Sequence, residues 1–340
     1  MNKVVVDAFG GDNAPLEIVK GAILALKEKE GFGVTLVGKE EEIKEILKSE
    51  NFESDRIEIV NATEVITNDD VPTSAIRSKK DSSLVRSLEI LKQRDDLVGF
   101  ISAGSTGAVL AGALFKLGRL DGIARPALAP CMPAATGREV VMLDIGANVD
   151  CKPEYLVQFA IMGSSFLKKA HGNENPRVAL LSNGVEDKKG NELNKKAFKL
   201  LQETKGINFV GNMEAREILS GDYDVIVTDG FAGNIGLKAT EGAILTVFSY
   251  LKQGIMTSLK TKIAGMLLKD VFKQMKGRLD YNANGGAVLL GVKKPIVKCH
   301  GSSKAPSIAK SIHQCLALHE SKFIDNIESV ISENAENEAE

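Results

Sequence analysis

The chain has 340 residues, 44% hydrophobic and 26% charged, which suits one large α/β unit or two lobes sharing a sheet rather than one small domain. A net charge of −2, no Trp and 5% aromatic residues argue against nucleic-acid binding, which leans on a basic field and on stacking platforms. No apolar stretch approaches the roughly 20 residues that span a bilayer, and the N-terminal apolar run is too short for a signal peptide.

Taken in chain order, short β-branched runs at residues 4–6, 34–37, 57–60, 98–102, 140–145, 178–181, 224–228 and 296–298 read as buried strands. Amphipathic stretches such as 16–29 and 83–93 separate most of them. That alternation predicts βαβ units and a mostly parallel sheet covered by helices on both faces. Pro15 stands where a helix can begin, since its missing N–H would have had no intrahelical partner. After residue 229 the pattern changes: a helical stretch over 234–278 contains no strand and is interrupted by Gly254 and Gly265. A protruding helical hairpin, inserted into a catalytic unit spanning 1–330, accounts for it better than a single rod. Residues 331–340 are acidic and are expected to be a disordered tail.

Five strand ends run into glycine, small hydroxyl or Asp/Asn residues. They are DAFGGD (7–12), SAGSTG (102–107), LDIGAN (143–148), TDGFAGN (228–234) and KCHGSS (298–303). In a parallel sheet the C-terminal strand ends face one way and ligands bind in the crevice there. Glycine admits close backbone approach, and the following helix offers free N–H groups and the positive end of its dipole, so an oxyanion such as phosphate is the natural guest. Neither GxGxxG after the first strand nor a P-loop occurs, and HExxH and GxSxG are absent, which removes the dinucleotide, nucleotide, zinc-peptidase and hydrolase-elbow readings.

Of the four histidines, His300 falls beside the expected crevice, while His171, His313 and His319 sit in or at the ends of helical patterns. His300 reads either as a hydrogen-bonded loop residue or as a ligand-contacting or proton-handling group. The four cysteines form no CxxC pair and read as reduced thiols. Cys151 is a candidate acyl-carrying nucleophile, but no base stands at a visible spacing, so a packed thiol is the better reading. No metal-ligand cluster is visible in the spacing, and neither a metal nor a cofactor is expected.

Seven motifs in order, DAFGGD, SAGSTGA, RPALAP, LDIGANVDCKPEYLVQFA, DVIVTDGFAGNIGLKATEGA, NGGAVLLGV and HGSSKA, span nearly the whole chain. Together they resemble the bacterial phosphate acyltransferase family. The resemblance implies a fold akin to isocitrate and isopropylmalate dehydrogenases and to phosphotransacetylase, and a homodimer. It also implies transfer of a long-chain acyl group from acyl carrier protein to inorganic phosphate, giving acyl phosphate for phospholipid synthesis. A cytoplasmic enzyme loosely associated with the inner face of the plasma membrane is implied too, with acyl phosphate passed to a membrane glycerol-phosphate acyltransferase.

Such a reaction needs no protein nucleophile, because phosphate itself can attack the thioester carbonyl. Backbone N–H groups and fixed dipoles must position two anions and stabilise a tetrahedral oxyanion. Gly10, Gly11, Ser105, Thr106 and Gly107 are therefore assigned to anion binding, with Lys152 or Lys304 neutralising phosphate charge. Asn148, Asn234 and His300 are the candidate donors to the oxyanion or the departing thiolate. Asp7, Asp12, Asp144 and Asp229 are expected to orient the turns, since a carboxylate touching phosphate would be repelled, with Asp229 also counted among the phosphate- and substrate-binding residues.

Between residues 252 and 278 the hairpin carries Lys252, Lys260, Lys262, Lys269, Lys273, Lys276 and Arg278 against only Asp270. Leu251, Ile255, Leu259, Ile263 and Met266 recur at helical spacing. A basic amphipathic element reads as a membrane-surface contact or a dock for an acidic carrier protein, or as a dimer-packing hairpin with a solvated lysine face. The rivals for the whole chain are a phosphotransacetylase-like enzyme acting on acyl-CoA and a non-catalytic membrane scaffold for lipid-synthesis enzymes.

Overall fold

The computed structural model describes residues 1–279 and 285–339; Asn284, which opens the NGGAVLLGV motif, and Glu340 lie outside the described residues. The strands are β1 (Lys3–Asp7), β2 (Gly33–Gly38), β3 (Ile57–Asn61), β4 (Leu97–Ser102), β5 (Ala127–Ala129), β6 (Cys131–Pro133), β7 (Glu139–Leu143), β8 (Arg177–Ser182), β9 (Asn208–Glu214), β10 (Val225–Val227), β11 (Ala287–Leu290) and β12 (Ile296–Lys298). The first helices are α1 (Leu16–Glu28), α2 (Glu40–Ser49), α3 (Pro72–Ser78), α4 (Ser83–Gln93), α5 (Thr106–Gly112) and α6 (Pro153–Ala170). They are followed by α7 (Glu192–Glu203), α8 (Gly230–Ile255), α9 (Leu259–Leu267), α10 (Lys269–Leu279), α11 (Ala305–Glu320) and α12 (Phe323–Ala339). A π-helical turn, Ala113–Leu117, extends α5 without a break.

The strands form two sheets, ordered β3-β2-β1-β4-β12-β11-β5 and β6-β7-β10-β8-β9. In the first, β3, β2, β1, β4 and β12 run parallel, and β11 is antiparallel to both of its neighbours. In the second, β7, β10, β8 and β9 run parallel and β6 closes the edge antiparallel to β7. This is an α/β fold with mostly parallel sheets.

Both faces of the first sheet are buried, and parity assigns them. Val4, Val6 and Ala8 share a cluster with Ile18 and Val19 of α1 and with Ile308 and Ile312 of α11. Val5, Phe100 and Ile296 face the opposite cluster, with Leu84 and Leu88 of α4 and Val109 of α5. Continuous β-branched runs such as VVV need this double covering, because a one-faced strand would alternate with polar residues.

β5 and β6 are nearly one strand. Pro130 between them has no N–H to offer a ladder, and the chain passes there from the edge of one sheet to the edge of the other.

The helical insertion differs from the expected two-helix hairpin. It begins at Gly230 and has three helices, α8, α9 and α10. Gly254 lies in the last turn of α8, as anticipated, but Gly265 does not break a helix. It sits inside α9, where an added Cβ would come within 2.4 Å of Ile255, so the glycine lets α9 pack closely on α8. The last segment also departs from expectation: the backbone of α12 continues through Ala339.

Candidate functional site

Three of the five turns meet at the C-terminal edge of the seven-stranded sheet. Ser102 Oγ donates to Asp7 Oδ2 at 2.7 Å, joining the ends of β4 and β1. The Cys299 N–H donates to the Ser102 carbonyl at 2.9 Å and the Asp12 N–H to the Gly301 carbonyl at 2.8 Å, which brings in the turn after β12. Asn13 Nδ2 adds bonds to the Ser302 and Ser303 carbonyls.

Packing at this junction leaves no room for a side chain on the first turn. A Cβ at Gly10 would lie 2.8 Å from both the Gly104 nitrogen and Ser102 Oγ; one at Gly11, whose φ is +104, would lie 2.8 Å from the Ala103 side chain. Asp7 organises the junction from beneath. It also accepts from Ser83 Oγ at 2.5 Å, and burial pushes its carboxyl above the usual carboxylate value against the opposing hydrogen bonds.

Above this junction begins α5. Ser105 stands at its N-cap but makes no side-chain capping bond, so the first N–H groups of the helix face outward unclaimed. Two other helix starts on these turns are already filled. Asp229 caps α8 by accepting from the Phe231 and Ala232 N–H groups, and Glu17 Oε2 accepts from the Ala305 N–H at the start of α11. Asp229 is thus a capping residue, and its carboxylate bars a second anion from the end of α8. Gly107 has a structural reason of its own, since a Cβ there would lie 2.8 Å from Pro72.

The other two turns meet at the five-stranded sheet. Asp144, fully buried, accepts from the N–H groups of Leu128 (3.0 Å), Ala147 (3.2 Å) and Asn148 (2.6 Å). Its carboxyl too is pushed up by burial, with those bonds opposing. The Gly230 N–H donates to the Asn148 carbonyl at 2.8 Å. Asn148 spends its amide hydrogens inside the turn, on the Pro126 carbonyl at 2.7 Å and on Asp144 at 3.0 Å. The expected oxyanion-donor role of Asn148 is therefore withdrawn: it holds the turn. Asn234 remains free, exposed near the start of α8 with its amide beside Gly146.

The expected single convergence is thus two adjoining groups. They touch through β5 and through Ile145 and Ala147, which pack against the cluster holding Ala108, Val109, Leu128 and Leu289. His300 stands exposed in the first group. Its Nδ1 accepts from the Ser302 N–H at 3.2 Å and lies 2.8 Å from Ser302 Oγ, which assigns the proton of the neutral ring to Nε2 and leaves that N–H outward. Lys152 and Lys304 are exposed residues at the starts of α6 and α11. Cys151 Sγ lies 3.5 Å from the Asn148 carbonyl, and burial raises its thiol to about 11, so it is protonated and a poor nucleophile.

Sequence reasoning missed Ser83 and Lys298, both buried beneath the first group. The signal for Lys298 was present: a charged residue in phase with Ile296 on a strand buried on both faces. It also missed a cluster of metal-ligating types. Cys131, Glu139 and His171 bring one ligand atom each to within 4.8 Å of one another, with His171 Nδ1 2.7 Å from Glu139 Oε2. Residues 131, 139 and 171 come from β6, β7 and the end of α6, a grouping that only the fold creates.

Residues 2–326 match the family model described as fatty acid synthesis protein. The chain is 47% identical over 325 residues to a phosphate acyltransferase of Clostridium tetani, covering 96% of each. It is 46% identical over 333 residues to a phosphate acyltransferase of Bacillus cereus, covering 98% of this chain and 99% of that one. Among solved structures, a phosphotransacetylase from Streptococcus pyogenes superposes with a TM-score of 0.65 at 19% identity, covering 94% of each chain, a likeness of fold. The chain belongs to the phosphate acyltransferase family and is an acyl-group transferase.

Proposed function

We propose that the enzyme transfers a long-chain acyl group from the thioester of acyl carrier protein to inorganic phosphate, giving acyl phosphate for phospholipid synthesis. The observation that carries this reading is the unfilled start of α5 above a junction of glycine turns, while the neighbouring starts of α8 and α11 are occupied by carboxylates of the chain itself. The starts of α1, α5 and α6 carry no side-chain cap; that of α5 rises directly above the glycine junction and is where a phosphate would sit.

In this reading the N–H groups around Gly10, Gly11, Ser105, Thr106 and Gly107 hold phosphate. A phosphate oxygen attacks the thioester carbon, and the carbonyl oxygen becomes a tetrahedral oxyanion. The C–S bond then breaks, and the proton that hydrogen phosphate carried ends on the departing thiolate. Asn234 Nδ2 and His300 Nε2 donate to the oxyanion or to the departing sulfur. Asp7, Asp12, Asp144, Asp229 and Asn148 keep the turns in place.

The helices α8 to α10 serve a surface. Leu259 is 76% exposed, Met266 70% and Leu267 81%, with Lys260, Lys262 and Lys269 around them; the side chains of Lys276 and Arg278 lie outside those described. No described helix is long and apolar enough to cross a membrane. An apolar tip ringed by lysines suits the cytoplasmic face of an anionic bilayer, where the product would meet a membrane glycerol-phosphate acyltransferase. A homodimer is part of the same proposal.

The deciding experiment incubates the protein with palmitoyl-carrier protein and phosphate and looks for palmitoyl phosphate and phosphate-dependent thiol release. Asn234→Ala and His300→Ala should each lower the rate ~10²–10³-fold. Turnover of palmitoyl-CoA alone would favour the phosphotransacetylase-like alternative. Absence of thiol release with either donor would leave only the scaffold reading.

A further inference from the structure

We propose that Lys298 is the cation of the phosphate site, a buried ammonium whose unspent hydrogens and charge are completed by the substrate. The proposal rests on the acyl-transfer reading for the identity of the anion, and on the fold for its place.

Lys298 is the last residue of β12 and pairs in register with Ser102 on β4. Ser102 in turn donates to Asp7. Residues Ile296, Phe100 and Val5, two positions back on each strand, face one cluster, so Asp7, Ser102 and Lys298 form a polar row across three adjacent strands on that same face. The row lies where the chain turns upward into the glycine junction and α5. On its other side, β12 neighbours β11, whose Ala287 packs in the same cluster as Ile145 and Ala147 of the second group. Lys298 thus occupies the sheet position between the two groups of turns.

Its bonding is incomplete. The residue is only 8% exposed, yet its ammonium has one acceptor, the Cys299 carbonyl, out of three hydrogens to place. Among the described residues it forms no ion pair, whereas Lys3, Lys79 and Lys116 are each closely paired with a carboxylate. Asp12 and Asp7 act on it at longer range, and burial still pushes its value below the ordinary lysine range. A buried, unpaired cation is costly unless an anion completes it. Asp7 does not do so, being engaged by Ser83 and Ser102. The exposed Lys152 and Lys304, favoured from sequence, carry no such cost and are poorer candidates for a resident phosphate cation.

The test varies inorganic phosphate at saturating acyl-carrier thioester for the intact enzyme and for Lys298→Met, and follows melting of each with and without phosphate at matched ionic strength. Loss of a charge-assisted contact should raise KM for phosphate roughly 10- to 100-fold, with KM for the acyl donor held within about twofold. Phosphate should raise the Tm of the parent and not of the variant. The phosphate-free Tm of the variant should equal or exceed the parent's, since a methionine needs no counter-charge. If Lys298→Met does not fold, Lys298→Arg and Lys298→Gln replace it: Arg should stay near the parent in KM for phosphate and Gln should rise. Unchanged KM and an unchanged phosphate-dependent Tm shift in the variants would overturn the proposal and make Lys298 a distant counter-ion of Asp7. If the parent makes no acyl phosphate but phosphate still raises its Tm through Lys298, the acyl-transfer reading falls and the anion site stands.

Discussion

Leu128 donates its backbone N–H to Oδ1 of Asp144 at 3.0 Å, so the edge strand of one sheet fastens the turn that closes a strand of the other. Asp144→Ala would leave the N–H groups of Leu128, Ala147 and Asn148 without their acceptor. The buried Leu128 donor, once stranded, costs ~1–3 kcal/mol, and the part-buried Ala147 and Asn148 donors, which water can reach, add less. A loss of about 2–4 kcal/mol in urea unfolding is expected, with Asp144→Asn in between because one oxygen remains. An unchanged midpoint for the alanine variant would show that this carboxylate does not hold the turn.

Two glycines of α8 should respond in opposite directions. A Cβ at Gly233 would lie 1.9 Å from the Asp144 carbonyl oxygen, whereas one at Gly242 meets nothing. Gly233→Ala is expected to destabilise by at least ~3 kcal/mol. Gly242→Ala, in an exposed helix interior, should stabilise by ~0.5–1 kcal/mol. Thermal melting of the two variants side by side checks the pair.

Acid should weaken the fold through Glu58. Hydrogen bonds from Arg94 first, with Lys3 adding, hold its carboxyl at about 2, below the usual 4.5. Since the folded state binds its proton more weakly than the unfolded chain, the contribution is full above about 4.5 and is lost as pH falls toward about 2. The group is partly solvated, so on the order of 1 kcal/mol is expected. Glu58→Gln should flatten the stability profile across that window, and an unaltered profile would count against this network.

At the tip of the insertion, Leu259→Glu should abolish flotation with anionic vesicles while leaving the Tm within about 2 °C, because an exposed side chain contributes little to folding. Retained vesicle binding would move the membrane contact elsewhere.

The apolar runs announced β1 to β4, β7, β8, β10 and β12, because a strand buried on both faces must be continuously apolar; β3, expected to be buried, is a half-buried edge strand instead. β5, β6 and β11 escaped notice: three or four residues are too few to display a period, and all three join their sheets by antiparallel pairing. In β9 a bulge at Val210, where Phe209 pairs with Val178 and Gly211 with Ala179, breaks the alternation. The turns were legible for the same reason that they work, since only small residues fit where backbones touch. What composition could not tell was which hydrogens were already spent. Asn148 looked like Asn234 on paper, and only the bonds to Pro126 and Asp144 separate them. Lys298 was overlooked because exposed lysines nearby offered an easier reading.

The short stretch from Ala127 to Pro133 belongs to the border of both sheets at once. No single cleavage there can therefore divide this enzyme into two self-sufficient halves: a cut beside Pro130 would leave β11 and β12, which complete the first sheet, on the fragment that carries the second. Protease-resistant fragments should span both sheets or not accumulate, and heat should melt the two sheets together.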